Sequence, residues 1–217
     1  VGILQRPDEL VAVLIAFLIG ITVHECAHAW TALRLGDDTA QRLGRVTLNP
    51  LAHLDPIGTI GLLLIIVFGF GIGWGRPVPV NPARLRWHQR GMALVALAGP
   101  VSNILLALLG ALVLRFGVSL PTFAALVLHA FIQVNLLLAS FNLIPIPPLD
   151  GLKILLGILP RFWYLQLAAL ERYGLAILIL LIAFGSFGGS SIVAAMYLPV
   201  FRTLASVFTL VTGQPML

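Results

Sequence analysis

The stretch "LVAVLIAFLIGITVHECAHAWTALRLG", residues 10–36, places His24, Glu25 and His28 toward the C-terminal end of an apolar run. About 20 consecutive apolar residues cross a bilayer as a helix, so the run reads as a membrane span. Further apolar runs recur at residues 57–72, 92–116, 123–144, 165–184 and 192–211. Segment 57–72 differs from the rest: it is short, carries Gly58, Gly61, Gly69 and Gly71, and runs into "GFGIGWGRPVPVNP". It either spans or dips in and returns. The expected fold is an all-α polytopic membrane protein with five to six transmembrane helices and short extended or re-entrant segments between the first helices.

Composition agrees. Of 217 residues, 59% are hydrophobic and 10% charged, and mean hydropathy is +1.04, far from soluble norms. The formal net charge of +5 comes from twelve Arg and one Lys against eight acids. In a soluble chain such an excess suggests nucleic acid. Here most of the cations sit between apolar runs, as cytoplasmic loops require, so the bilayer and not nucleic acid is the expected partner. The single cysteine, Cys26, excludes an internal disulfide framework. The first run is too long for a signal-peptide core and lacks a small-residue cleavage site, so a retained helix is expected. With no soluble domain, linker or repeat, residues 1–217 read as one transmembrane domain, its core at about 10–160 and its last helices at about 165–213.

Helical residues four apart share a face, so His24 and His28 present two imidazoles to one point with Glu25 on the adjoining edge. This is the HExxH spacing, in which two His bind zinc and the Glu serves as base. Each ionisable group near mid-span costs about 2.5 to 3.5 kcal/mol, and a divalent cation offsets that cost. The alternative is a pair of core histidines satisfied by carbonyls.

Catalytic zinc usually has three protein ligands, so a third is expected outside this helix. His53, Asp55, His88, His129, Asp150 and the remaining acids are the candidates. Asp150 stands out in "SFNLIPIPPLDGLKIL", where an apolar helix carrying Asn135 and Asn142 is broken by Pro145, Pro147 and Pro148. Irregular backbone at membrane depth is tolerated where it is buried in protein or lines a wet cavity. The competing reading makes Asp150 an N-cap of the next helix.

At these segments the sequence resembles the site-2 protease family of intramembrane zinc metalloproteases, in its compact prokaryotic form without a PDZ or CBS domain. The match comprises "HECAHA", "GRVTLNPLAHLDPIGT", "PVPVNP", "ALAGPVSN" and "FNLIPIPPLDG", in the same order over about two thirds of the chain. The resemblance implies that His24, His28 and Asp150 hold one zinc per chain, that Glu25 activates water, and that Asn142 contacts the substrate peptide or its oxyanion. It implies cleavage of transmembrane segments of other proteins, and only loosely a gating role for the helices after about residue 165.

A membrane helix must unwind before its amides can be cut. Extended segments such as "GRVTLNP" and "RPVPVNP" are candidates to receive it by strand addition, or are simply connecting loops. His53 and Asp55 are expected to organise a turn, Gly99 and Pro100 to allow close helix packing, Asn103 to line the cavity or bond across helices, and His129 with Gln133 to act as polar glue. Trp74, Trp87, Trp163 and Tyr164 read as an interfacial belt. If 57–72 is re-entrant, Arg34, Arg42, Arg45, Arg76, Arg84, Arg86 and Arg90 share one face with Lys153 and Arg161, opposite Arg6 and Arg115. The catalytic mouth of a multi-pass cell-membrane protein then opens toward the cytoplasm. Two other functions compete: a divalent-metal transporter and a non-catalytic protease-like protein that binds membrane helices.

Overall fold

A computed structural model describes residues 6–68, 73–116, 120–188 and 192–213. Its long helices are α1 (Pro7–Arg34), α4 (His88–Arg115), α5 (Thr122–Asn142), α8 (Gly174–Gly188) and α9 (Ile192–Thr212). Shorter helices lie between them: α2 (Thr39–Arg42), α3 (Pro56–Phe68), α6 (Asp150–Ile158) and α7 (Arg161–Leu167). Helix α7 leads through a 3-10 segment, Ala168–Tyr173, into α8. Among the described residues, five stretches are long and apolar enough to cross a membrane: α1, α4, α5, Phe162–Phe184 and Ile192–Leu210. The chain is a multi-pass membrane protein.

Pro7 in the first turn of α1, with Asp8 and Glu9 beside it, suits a helix start: proline gives up an N–H that has no partner there, and the acids face the positive end of the dipole. The buried face of α1 is marked by small size. Ala12, Ala16, Gly20, His24, His28 and Ala32 follow one another at four-residue spacing and are all buried. Helix α4 carries the matching ridge, Gly91, Val95, Gly99, Asn103, Ala107 and Ala111. Small residues let the two backbones approach, which drives association where lipid removes any hydrophobic gain. Helices α1, α4 and α5 pack on one another, α6 packs on α4, and α9 closes against α4 and α5. There Ala107, Ala111, Ile132, Leu136, Ala205 and Phe208 form one apolar cluster.

Segment 57–72 yields a helix of 13 residues, Pro56–Phe68, or about 20 Å, well short of the roughly 30 Å hydrocarbon core. The chain then comes back along it. A methyl group on Gly58 would clash with the Trp74 carbonyl, one on Gly73 would lie 2.9 Å from Leu62 Cβ, and Leu54 bridges to Gly75. The wider excursion also closes: Arg86 N donates to Leu35 O at 2.8 Å, and the Arg84 guanidinium pairs with Asp38. The end of α1 and the start of α4 therefore share one face, as the re-entrant arrangement requires. Gly69 and Gly71 lie outside the described residues.

Between α5 and α6 the chain breaks at Pro145, Pro147 and Pro148, and the backbone accounts for itself. Leu143 N donates to Ala139 O, Ile144 N to Phe141 O, Ile146 N to Ile144 O and Leu149 N to Ile146 O, at 2.8 to 3.2 Å. The remaining three positions are prolines and have no N–H. No donor of the break is left orphaned at membrane depth.

Candidate functional site

His24 and His28 reach inward from consecutive turns of α1, and Asp150 opens α6 just after the proline break. Their ligand atoms converge: His24 Nε2 to His28 Nε2 is 3.0 Å, and Asp150 Oδ2 lies 3.1 and 3.2 Å from them. All three side chains are buried. Among the described residues they form a group able to hold a metal ion. Asp150 makes no side-chain cap on α6, so the helix-stop reading loses its expected hydrogen bond.

The donor chemistry calls for a cation. His28 Nδ1 lies 2.7 Å from Val95 O, a pure acceptor, so Nδ1 carries the proton and Nε2 offers a lone pair. His24 Nδ1 sits 2.6 Å from Asn103 Oδ1, which gives the same tautomer. Two lone pairs then face Asp150 Oδ2, a buried oxygen without a hydrogen-bond partner. Three acceptors at such separations repel one another unless a positive ion lies among them. Tetrahedral zinc with ligands at about 2.0 to 2.1 Å keeps them about 3.3 Å apart, close to the spacing seen.

Gly99 of α4 makes room for this. A methyl group there would sit 2.5 Å from His24 Cε1, His28 Cε1 and His28 Nε2. The small residue expected to allow helix packing thus lies directly against both imidazoles.

A cavity of about 300 Å³ opens beside the cluster, walled by Glu25, Trp74, Val78, Phe141, Asn142 and Lys153 among others. Glu25 is buried yet has no hydrogen-bond partner among the described residues, leaving its carboxylate available to the cavity. Asn142 ends α5 and uses one amide hydrogen on Leu138 O at 3.0 Å. Residues 77–80 run along the wall without internal backbone hydrogen bonds among the described residues. Segment 44–50, by contrast, is bent: Arg45 N donates to Ala40 O, and Asn49 caps the turn Pro50–Ala52.

The other sequence candidates lie elsewhere. His53 Nε2 bonds Thr47 O at 2.8 Å and Asp55 Oδ1 accepts from Gly58 N at 2.9 Å, so both organise turns. His88 is exposed beside Pro82. The expected glue pair gives way to another: Gln133 is exposed, and the bond between α4 and α5 runs from Asn103 to Asn135. Trp74, expected at the interface, lines the cavity.

Sequence reading missed Asp37. Its Oδ1 accepts from Thr39 N and Oγ1 at 3.1 and 2.5 Å, and its Oδ2 from Asn81 N at 2.6 Å. Burial alone would raise this carboxyl, but the Thr39 hydroxyl and the two backbone N–H donors outweigh it and hold it below the usual carboxylate range. Asp37 fastens the end of α1 to the cavity-lining segment. An aspartate just past a helix-ending glycine was the available signal.

Comparison with known proteins agrees with this chemistry. The chain is 42% identical over 175 residues to "Putative zinc metalloprotease YwhC" of Bacillus subtilis, covering 77% of this chain and 78% of that protein. It is 34% identical over 187 residues to "Putative zinc metalloprotease Rip2" of Mycolicibacterium smegmatis, covering 82% and 70%. It is 30% identical over 160 residues to "Putative zinc metalloprotease MJ0611" of Methanocaldococcus jannaschii, covering 70% and 75%. No protein-family model and no solved structure matches. With the match to YwhC spanning more than two thirds of both chains, this protein belongs to the zinc metalloprotease family.

Proposed function

We propose that the chain is a zinc-dependent intramembrane endopeptidase of the site-2 protease type, cleaving transmembrane segments of other membrane proteins. The observation that carries this reading is the meeting of three lone-pair donors beside Glu25, inside a bundle of membrane-length helices. His24, His28 and Asp150 hold one zinc. Zinc bound there supplies a Lewis acid that acidifies water and polarises a carbonyl. Glu25 takes the proton of the attacking water and hands it to the leaving amine. Asn142 keeps one amide hydrogen for the substrate peptide or its developing oxyanion. Val78 and Val80 offer backbone partners to an unwound substrate along the cavity wall. Leu175 and Leu178 of α8 complete that wall, and the C-terminal helices gate entry.

The purified chain is tested against a helical membrane substrate, native beside Glu25→Gln. The variant is expected to retain about one zinc per chain and lose cleavage. Cleavage at the native rate by Glu25→Gln overturns the mechanism; zinc crossing vesicles without any cleavage makes the protein a transporter.

The mouth of the site opens toward the cytoplasm of a cell membrane. Arg42 and Arg84 on Asp38, Arg45 on the Arg76 carbonyl and Arg86 on Leu35 gather on the face where α1 ends, the side the positive-inside rule assigns to the cytoplasm. Cysteines at positions 38 and 86 should both react with an impermeant reagent in inverted vesicles and neither in intact cells. The reverse pattern refutes the orientation.

A further inference from the structure

Four polar groups from three spans form one chain that ends on His24. At its far end, Asn135 Nδ2 donates to the backbone carbonyl of Phe131, one turn back in α5, at 2.8 Å. A carbonyl only accepts, so the Asn135 amide is fixed with Oδ1 facing away from it. That Oδ1 accepts from Asn103 Nδ2 of α4 at 2.8 Å. The second hydrogen of Asn103 Nδ2 goes to Gly20 O of α1 at 3.1 Å. Both amide hydrogens of Asn103 are then spent, and its Oδ1 meets His24 Nδ1 at 2.6 Å. Turning the Asn103 amide over would set its oxygen against two acceptors and its NH2 group against the ring. Asn103 and Asn135 are both fully buried, so no solvent relieves such a mismatch.

We propose that Asn103 and Asn135 act as an amide relay that selects the His24 tautomer. Anchored on the Phe131 carbonyl, the relay keeps the proton on Nδ1 and leaves the Nε2 lone pair facing Asp150 and His28. Both asparagines are positioning residues, since neither lines the cavity. Gly20 makes the convergence possible, because a methyl group there would lie 3.0 Å from Asn135 Oδ1 and 2.9 Å from Leu138 Cδ1. For His28 the Val95 carbonyl fixes the tautomer directly. His24 faces no such carbonyl, and the two asparagines carry the backbone's polarity to it.

The proposal rests on the reading of His24 as a zinc ligand, and its test separates the two. Zinc affinity of the full chain in detergent is measured by competition with a chromophoric chelator, with thermal unfolding of the zinc-free chain as a check on the bundle. Asn103→Leu is expected to weaken zinc about 10- to 100-fold, the usual cost of removing the partner of a ligating His, and Asn135→Leu to weaken it less. Asn103→Asp decides between relay and glue. An aspartate still accepts from His24 Nδ1, so near-native affinity is expected, although it cannot donate to Gly20 O or to Asn135. If the asparagine merely ties helices together, Asp and Leu at position 103 are equally harmful, and that result overturns the proposal. So does a nitrogen-15 spectrum of the native chain in which His24 Nδ1 carries no proton, a readout that does not depend on how the variants fold. If His24→Ala binds zinc as the native chain does, the ligand reading itself is wrong.

Discussion

Gly99→Ala tests the site with a single added methyl group. That carbon would lie 2.5 Å from two atoms of His28 and one of His24, against an ordinary contact of about 3.5 to 4.0 Å. Either α4 retreats or both rings move by about 1 Å. Ligand distances in a metal site tolerate only about 0.2 Å, while the ligand atoms stand just 3.0 to 3.2 Å apart. A misplacement of about 1 Å costs on the order of 100-fold in rate. Zinc affinity should therefore fall at least about 10-fold, the lower end of what disturbing a ligand's support costs, and cleavage by roughly 100-fold. Leu97→Ala, two residues away on the outer face and 37% exposed, is the control and should change neither. Chelator competition, cleavage of a membrane substrate and thermal unfolding are measured together. A Gly99→Ala protein with native zinc affinity and native cleavage would show that the imidazoles do not meet against α4 as described.

Two further outcomes follow from the segment that walls the cavity. Asp37→Asn places an NH2 group opposite either Thr39 or Asn81, both donors to the present carboxylate, and should cost about 1 to 3 kcal/mol of stability. The Thr39 hydroxyl and the two backbone N–H donors hold the folded carboxyl below the usual carboxylate range. The stabilisation is therefore present above the unfolded pKa and lost as pH falls through the folded one; the melting difference from native should be constant above about pH 5 and shrink below about pH 4. A gap that widens on acidification contradicts the assignment. Val78→Pro removes a free N–H from the wall and should depress cleavage at unchanged zinc content, while Val46→Pro, away from the wall, should do less; equal cleavage by both variants counts against strand addition.

The sequence announced the site more clearly than the packing around it. His24, Glu25 and His28 stand out because polar groups in a span are costly, and Asp150 because a helix broken by three prolines at membrane depth needs a purpose. The buried faces of α1 and α4 were harder to see. Amphipathicity marks a buried face in water, but in lipid the outer face is equally apolar. The signal is size: Ala12, Ala16, Gly20 and Ala32 on α1, and Gly91, Gly99, Ala107 and Ala111 on α4, at spacings of four or multiples of four. Asn103 and Asn135 were visible as intramembrane amides, but which oxygen faces which hydrogen depends on three helices meeting. Segment 57–72 remained open because glycine content fits a span and a re-entrant turn alike. Only the contacts of Gly58 with Trp74 and of Leu35 with Arg86 decide it.

Proline serves the two irregular segments of the site in different ways, and counting donors brings this out. In residues 143–149 the prolines stand where an N–H would have no partner, and the four other N–H groups bond within the segment or back to α5. That stretch is self-sufficient between Asn142, which ends α5, and Asp150, which opens α6. In residues 77–80, Pro77 and Pro79 also lack donors, yet the N–H groups of Val78 and Val80 make no bond among the described residues. Both valines line the cavity. An unpaired backbone donor in a largely apolar cavity costs free energy until something accepts from it. The alternation leaves donors two residues apart on one side of an extended chain, the spacing at which an added strand presents its acceptors. On the proposed function, a substrate helix that unwinds beside this wall would exchange some of its lost internal hydrogen bonds for new ones here. The step that costs such a substrate most would thereby be offset on the wall of the cavity that holds Glu25.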